Sequence, residues 1–214
     1  MVTEVRIYVE GGGDGKNSKA LLRQGFNHFF RDLIEIARSN QIKWNVVLCG
    51  SRNNAFRDFK NAFKTHPNAF IILLVDSEAL VTANQPPWEH LKLRDDWESP
   101  NVDDTHCHLM VQSMEAWFIA DIDALKKYYG QGFKENAIPK SQNVEKIHKD
   151  SLEPSLKAVS FNTTKGEYRK IQHAAKLLEM IDVAKVRKAS NYCDRLFITL
   201  TQKMTEIIEN KHNP

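Results

Sequence analysis

Cysteine is scarce in this chain: the 214 residues include only Cys49, Cys107 and Cys193, which lie far apart and form no Cys-x-x-Cys pair. Their odd number and wide spacing argue against a disulfide framework and against a zinc site. Long apolar runs are also lacking, since the longest, at 69–75, is far too short to cross a bilayer. The N-terminus does not resemble a secretion signal. We therefore expect a soluble cytoplasmic protein with no membrane partner.

Net charge is small, at +3, but it is unevenly distributed. Residues 1–133 hold 15 Lys and Arg against 17 Asp and Glu, whereas residues 134–214 hold 15 against 10. A basic C-terminal part beside an acidic first part suits a site where carboxylates hold a metal and nearby cations attract a polyanion. A lysine-rich helical surface that keeps the protein soluble explains the same excess equally well.

The first part of the chain alternates between strand and helix patterns. Short apolar segments rich in β-branched residues predict strands at 4–10, 43–49, 69–75 and 106–112. Apolar residues at helical spacing predict helices over 18–38, 52–64 and 114–129. This order predicts an α/β fold with a mostly parallel four-stranded sheet flanked by helices.

The rest of the chain contains one long loop and a helical region. Residues 77–105 are polar, contain prolines and show no clear period, which predicts a functional or mobile loop. Patterns after residue 143 are helical only, at 152–159, 166–180 and 191–209. We therefore predict an α/β core over 1–133 and a basic helical extension over 134–214 that packs on the core.

Acidic residues follow the predicted strands at the points where the strands end. Glu10 ends the first strand, Asp76 and Glu78 follow the third, and Glu115 comes shortly after the fourth. Ligands of open α/β sheets bind outside the carboxyl ends of the strands, so these side chains should meet. Clustered carboxylates favour a hard cation such as Mg²⁺. Alternatively, Asp76 caps a loop and Glu115 adds a favourable charge to the first turn of a helix.

Glycine is scarce too, with nine residues, yet four of them are concentrated at Gly11, Gly12, Gly13 and Gly15. The stretch GGGDGKN satisfies neither the phosphate-loop pattern GxxxxGK[ST] nor the dinucleotide pattern GxGxxG. It does permit a tight turn that brings backbone N–H groups, and Lys16, close to an anion at a helix N-terminus. Asp14 either joins the acidic cluster or begins the helix.

Several cations are candidates for contacts with phosphate. Arg52 follows the second strand, and Lys165 and Lys170 flank Tyr168 as cations flank aromatics in nucleic-acid grooves. A surface arginine and a solvated helix face are the alternatives.

Two other pairs of residues suggest binding but have simpler explanations. His106 and His108 share a face of a predicted strand, but no third nitrogen or sulfur ligand is nearby, so we expect packing or hydrogen bonding. Trp88 and Trp97 lie in the long loop, where we expect them to pin the loop to the body rather than stack on bases.

Six blocks of the sequence resemble known proteins: VEGGGD (9–14), CGSR (49–52), LLVDSE (73–78), PWEHL (87–91), LMVQSMEAWFIAD (109–121) and YRK (168–170). An apolar strand ending in Glu-Gly, with an acidic doublet after a later strand, resembles the Toprim catalytic domain of topoisomerases, primases and many nucleases. Together, the blocks resemble an uncharacterised bacterial family of small Toprim-like proteins known only as a domain of unknown function.

The resemblance implies a Toprim-like sheet with a helical extension, and a Mg²⁺- or Mn²⁺-dependent nuclease that cuts DNA or RNA. It further implies a role in defence against phage or mobile elements beside a partner ATPase. The Toprim glutamate falls on Glu10 and the acidic doublet on Asp76 and Glu78, where Glu78 departs from the commoner aspartate; these three are the implied metal ligands.

Glu115 completes the implied catalytic set, as a further ligand or an orienting group. The residues predicted to bind phosphate or nucleic acid are Gly11, Gly12, Gly13, Lys16, Arg52, Lys165 and Lys170. Two other functions stay open: a non-catalytic module that binds nucleic acid or an ATPase, and a small-molecule phosphohydrolase.

Overall fold

Four parallel strands form the centre of the protein in a computed structural model that describes residues 2–212. The strands are β1 Glu4–Glu10, β2 Lys43–Gly50, β3 Ala69–Asp76 and β4 Cys107–Met110. They lie in the order β2-β1-β3-β4, and every pairing between them is parallel. The predicted α/β class and parallel four-stranded sheet are confirmed. Since β1 and β3 are neighbours, their carboxyl ends lie side by side.

Helices surround this sheet. The described residues form ten of them: α1 Lys16–Phe29, α2 Arg31–Ser39, α3 Arg52–Thr65, α4 Pro87–Asp95, α5 Glu115–Ile119, α6 Ile122–Tyr129, α7 Lys149–Ser160, α8 Lys170–Met180, α9 Val183–Ala189 and α10 Asn191–His212. The helix predicted over 18–38 is two helices, because Phe30 has φ −95° and ψ 15°, outside helical geometry. The helix predicted over 114–129 is also interrupted, at Asp121, which caps α6 through its side chain.

The polar segment 77–105 is more ordered than its sequence predicts. It contains α4, which begins with Pro87 at a position where proline's missing N–H costs nothing. Trp88 and Trp97 are both buried, and Trp97 stacks on Phe56 of α3 with ring centroids 4.2 Å apart. The expectation that the tryptophans pin this segment to the body is confirmed, and the expectation of an aperiodic loop is wrong.

Strand β4 is shorter than predicted. His106 belongs to a 3₁₀ turn, so it does not share a strand face with His108, and that prediction is wrong. Both rings bond to backbone oxygens: His106 Nδ1 lies 2.6 Å from the Ile71 carbonyl oxygen and His108 Nε2 lies 3.1 Å from that of Thr105. The expected hydrogen-bonding role of the two histidines is confirmed.

Apolar side chains are buried on both faces of the sheet. Along β3, Ile72 and Leu74 join a cluster with α1 and the C-terminal helices, whereas Leu73 and Val75 join a second cluster with α3 and α4. The first cluster also contains Phe197 of α10, whose ring lies 5.5 Å from that of Phe29 in α1. The helices that follow residue 134 therefore complete one face of the core.

A close contact between α1 and α8 positions the beginning of α8. Gly25 in α1 faces Ala175 in α8 so closely that a Cβ at Gly25 would lie 2.6 Å from the Ala175 carbonyl oxygen. The missing side chain lets the two helices approach. Lys170, the first residue of α8, is thereby brought to the edge of the sheet where β1 and β3 end.

Within residues 2–212, no helix has both the length and the apolar character needed to cross a membrane. All three cysteines are buried and free.

Candidate metal centre

Three carboxylates converge at the carboxyl end of the sheet. Glu10 is the last residue of β1, Asp76 is the last of β3, and Glu78 follows two residues later. One carboxylate oxygen from each residue lies within 4.8 Å of the other two. The backbone that carries Glu78 is held beside β4, because its N–H donates to the Gln112 carbonyl oxygen at 2.9 Å. Sequence reasoning predicted this convergence.

Each of these carboxylates has a side-chain cation beside it. Arg52 Nη1 lies 3.1 Å from Glu10 Oε2, and Lys170 Nζ lies 3.4 Å from Asp76 Oδ2. Glu78 pairs with the ammonium group of Lys149 and, at 3.5 Å, with Arg94 Nη2. The cluster is therefore close to electrically balanced without a metal.

Burial and mutual repulsion nevertheless shift the protonation of two of these carboxyls. Burial and the charge of Asp76 raise the pKa of Glu10 to about 7, although Arg52 acts in the opposite direction. Burial also raises the pKa of Asp76, against the lowering effect of Lys170. Asp76 Oδ1 is fixed by the Met114 N–H, which donates at 2.8 Å. A cation bound between these carboxyl groups would favour their ionised forms and offset the repulsion between them.

Glu115 lies behind this cluster rather than within it. Its carboxylate is 4% exposed, accepts a 3.0 Å hydrogen bond from the Tyr168 hydroxyl and lies 3.3 Å from Lys170 Nζ. Burial would raise its pKa, but the charge of Lys170 and its hydrogen bonds outweigh burial and lower that pKa. Glu115 and Asp76 thus hold the same ammonium group, so Glu115 contacts the cluster through Lys170.

The glycine loop folds tightly against the ends of β1 and β2. Gly11, Gly12 and Gly13 all have positive φ, at 128°, 83° and 57°. Gly11 exchanges two backbone hydrogen bonds with Gly50, at 2.8 and 3.0 Å. Ser18 Oγ donates to the Gly12 carbonyl oxygen at 2.5 Å, which ties the loop to α1.

Two charged residues of this segment face solvent. Lys16 is exposed at the first position of α1. Asp14 is exposed as well, and the three-carboxylate cluster found among residues 2–212 does not include it. Of the two possibilities for Asp14, a position just before the helix is the one that the structure shows.

Arg52 is held by protein groups rather than presented to solvent. Its Nε and Nη2 lie 3.1 and 2.6 Å from the carboxylate oxygens of Asp95, and Nη1 donates to Glu10 and to the Asp76 carbonyl oxygen. The guanidinium lies over the ring of Trp97 at 4.9 Å, and the side chain is 14% exposed. Arg52 therefore ties α3 and α4 to the strand ends.

The cations around Tyr168 separate in the structure. Tyr168 is fully buried and donates to Glu115, so its ring does not line an open groove. Lys165 Nζ lies 4.8 Å from the centroid of the Tyr128 ring, whereas Lys170 reaches Asp76 and Glu115. Of these two lysines, Lys170 is the one that contacts the carboxylates.

Two cavities adjoin the carboxylates, and Asp76 and Lys170 line both. We call the first the lysine-lined cavity: it measures about 520 Å³ and also includes Glu78, Lys149 and Lys157. We call the second the glycine-loop pocket: it measures about 380 Å³ and also includes Glu10, Gly11, Gly13, Leu22, Met114 and Ile171.

A larger cavity lies away from the carboxylates. It measures about 1000 Å³ and is lined by residues 80–87 together with Tyr192 and Arg195. The Tyr192 hydroxyl donates to the Gln85 carbonyl oxygen at 2.7 Å, and Arg195 Nη1 donates to that of Cys107 at 2.9 Å. Tyr192 and Arg195 therefore use these polar groups in bonds within the protein.

Sequence reasoning missed the residues that bring Lys149 to Glu78. The buried Gln112 amide donates to the carbonyl oxygens of Glu145 and Ile147, at 3.0 and 2.5 Å, and accepts from the Lys149 N–H at 2.7 Å. Gln112 lies in the LMVQSMEAWFIAD block, which was the only signal for it in the sequence, and no local pattern marks its amide.

A family model described as "Domain of unknown function (DUF4276)" matches residues 9–201 of the chain. The matched range contains Glu10, Asp76, Glu78 and Glu115. No curated protein and no solved structure matches the sequence.

Proposed function

We propose that this chain, which belongs to the DUF4276 family of unknown function, is a Toprim-like metal-dependent nuclease that hydrolyses phosphodiester bonds in DNA or RNA. The observation that carries the proposal is the convergence of Glu10, Asp76 and Glu78, whose oxygens lie within 4.8 Å of one another. A strand-end glutamate and an acidic doublet on the neighbouring parallel strands β1 and β3 support the Toprim likeness.

The donor set suits a hard divalent cation. All three candidate ligands offer carboxylate oxygens, which Mg²⁺ and Mn²⁺ prefer. Burial and the charge of Asp76 raise the pKa of Glu10 to about 7, and a cation bound beside these carboxyls would favour their ionised forms. A metal ion bound here would stabilise charge on phosphoryl oxygens and lower the pKa of an attacking water.

The side chains around the carboxylates are suited to hold a phosphodiester. Lys170 and Lys149 place ammonium groups beside Asp76 and Glu78, where they can attract phosphate oxygens. Glu115, which accepts from the Tyr168 hydroxyl, pairs with Lys170 and helps to hold its charge at the cluster. Glu10 serves as a ligand or as the general acid/base. Defence against foreign DNA beside an ATPase is part of this proposal, on the strength of the sequence resemblance.

One observation favours a second candidate, a non-catalytic module that binds nucleic acid. Each clustered carboxylate already pairs with an arginine or lysine, so the site is electrostatically stable without a metal. A network of this kind can have a purely structural role, in which it holds the strand ends together.

Cleavage assays test the proposal. We expect single- or double-stranded DNA or RNA to be cut in Mg²⁺ or Mn²⁺ but not in EDTA, and Glu10→Gln and Asp76→Asn each to lower the rate by at least about a hundredfold. Asp123→Asn is the matched control, since that carboxylate is 82% exposed and pairs with Lys185 instead.

The possible outcomes separate the candidates. Nucleic-acid binding without cleavage under any metal favours the binding module, and turnover of mononucleotides alone favours a phosphohydrolase. If Glu10→Gln and Asp76→Asn bind metal and cut as the wild type does, the site assignment is wrong.

A further inference from the structure

The glycine-loop pocket combines a charged end with an apolar wall. Glu10, Asp76 and Lys170 form the charged end, which is also part of the candidate metal centre. Leu22 of α1 and Met114, both buried, add apolar surface to its lining. Ile171 also lines the pocket although its side chain is 62% exposed. If Glu10 and Asp76 hold a divalent cation, as the proposed function requires, a ligand with one anionic end and one flat apolar part would match this arrangement.

Two glycines keep this pocket open. A Cβ built on Gly13 would lie 3.6 Å from Ile171 Cδ1, and one built on Gly11 would lie 3.1 Å from Leu22 Cδ2. Both contacted atoms belong to residues that line the pocket. A side chain at either position would therefore occupy space that the glycines leave empty.

The dimensions of the pocket limit what it can hold. At about 380 Å³ it falls within the range of small-ligand sites and is far too small for a duplex. Methionine side chains such as Met114 make favourable contacts with aromatic rings. A base that enters such a pocket must leave the helical stack, which costs least when it is already unpaired.

We propose that the glycine-loop pocket binds one unpaired nucleoside of the substrate, with the adjoining phosphate at the carboxylates. This inference rests on the proposed function and specifies its substrate class as single-stranded or frayed nucleic acid. The lysine-lined cavity shares Asp76 and Lys170 with this pocket. Lys149 and Lys157 also line that cavity, paired with Glu78 and Glu153, and can exchange these partners for the next phosphates of the strand.

A pair of synthetic esters tests the pocket. Thymidine 5′-(p-nitrophenyl phosphate) and methyl p-nitrophenyl phosphate have the same leaving group, so a difference between them reports on the nucleoside. We expect the wild type to hydrolyse the thymidine ester with a kcat/KM at least about tenfold higher. Equal values for the two esters would overturn the pocket assignment and leave the proposed nuclease activity intact.

Two substitutions locate the effect. Gly13→Asn should bring the ratio of the two kcat/KM values close to about one, because the new side chain fills the pocket. Asn tolerates positive φ. Gly166→Asn is the matched control, since Gly166 also has positive φ, at 73°, and a Cβ there would meet no atom within 4 Å. Ile171→Ala removes an exposed residue that lines the pocket, and it should also lower the ratio of the two kcat/KM values. An unchanged ratio in Gly13→Asn and Ile171→Ala overturns the assignment.

A binding experiment separates failure of the pocket from failure of the proposed function. If neither ester nor any polynucleotide is hydrolysed, the nuclease proposal fails. Fluorescence of 2-aminopurine in an oligonucleotide, with Ca²⁺ present, then tests the pocket directly. We expect the single strand to bind at least about tenfold more tightly than the blunt duplex, with the preference lost in Gly13→Asn and kept in Gly166→Asn. Equal affinities for strand and duplex would overturn the pocket assignment.

Discussion

The carboxyl groups of Glu10 and Asp76 share one cluster but pair with cations from helices on opposite faces of the sheet. Glu10 pairs with Arg52 of α3, a helix that packs in the second apolar cluster. Asp76 has the same parity along β3 as Leu74, which faces α1, and it pairs with Lys170 of α8. The acidic cluster therefore spans the edge of the sheet, and helices on both faces supply its counter-charges.

Metal binding should stabilise the fold through Asp76. At a Mg²⁺ concentration about a hundredfold above Kd, binding to the folded state alone adds about 2.7 kcal/mol to the free energy of unfolding. We expect the wild type to show this gain in thermal or urea unfolding and to lose it on addition of EDTA. Asp76→Asn, which keeps the shape and can still accept from the Met114 N–H, should gain less than about 1 kcal/mol. The exposed substitution Asp123→Asn should keep the full gain; a full gain in Asp76→Asn would show that Mg²⁺ binds elsewhere.

His108 should make the protein sensitive to acid. Burial and the nearby charge of Arg195, with a smaller effect of His106, lower the pKa of His108 from 6.5 to about 3. Between these two pH values His108 is protonated in the unfolded chain but neutral in the folded protein. The contribution of the neutral ring to the free energy of unfolding, complete above pH 6.5, is therefore lost as the pH falls toward 3. His108→Gln should reduce the acid-induced loss by a few kcal/mol at most, roughly 1.4 kcal/mol for each pH unit that separates the folded and unfolded pKa values. Urea unfolding at pH values from 7 to 4 measures this difference. If the free energies of unfolding of the wild type and the variant fall in parallel, the prediction is contradicted.

Gln112 should hold the segment that leads into α7. Gln112→Ala leaves the carbonyl oxygens of Glu145 and Ile147 and the N–H of Lys149 without their partner. Unpaired buried groups of this kind cost about 1–3 kcal/mol each before relaxation, so we expect a total loss of about 2–4 kcal/mol. Hydrogen exchange at the Lys149 amide should accelerate as well. Gln202→Ala, at an exposed position of α10, should change stability by no more than about 0.5 kcal/mol.

Gly25→Ala should destabilise the protein although alanine favours helices. The helix propensity gained is about 1 kcal/mol. The new Cβ would lie 2.6 Å from the Ala175 carbonyl oxygen and 3.1 Å from Leu178 Cβ, so α1 and α8 must separate. Overpacking of this kind costs about 1–3 kcal/mol, and we expect a net loss in urea unfolding. Gln24→Ala, on the exposed side of the same helix, is the control; a gain in stability for Gly25→Ala would show that the helices can part freely.

Sequence patterns predicted the strands and the positions of the carboxylates well, because both depend on the order of residues within a short segment. A strand that is buried on both faces leaves a continuous apolar run such as 69–75, and the next residue is then placed at the sheet edge. The position of Asp76 follows from this run, and Glu10 ends the neighbouring strand β1, so the grouping with Glu78 could be predicted.

Contacts between distant segments could not be predicted in the same way. Arg52 meets Asp95, which belongs to a helix whose apolar pattern is too weak to recognise in the sequence. Lys149 reaches Glu78 only because the Gln112 amide turns its segment toward the sheet. In both cases the partner is selected by tertiary packing, for which a single sequence carries no periodic signal.

The apolar cluster shared by both parts of the chain decides what shortened versions of the protein can do. A fragment that ends at residue 133 would lack Phe197, which packs on Phe29 and Phe30, and would expose that apolar surface to water. It would also lack Lys170, which leaves Asp76 and Glu115 buried without their common counter-ion. Truncation at this point should therefore yield insoluble material rather than a minimal enzyme, and mapping of activity requires point substitutions in the full chain.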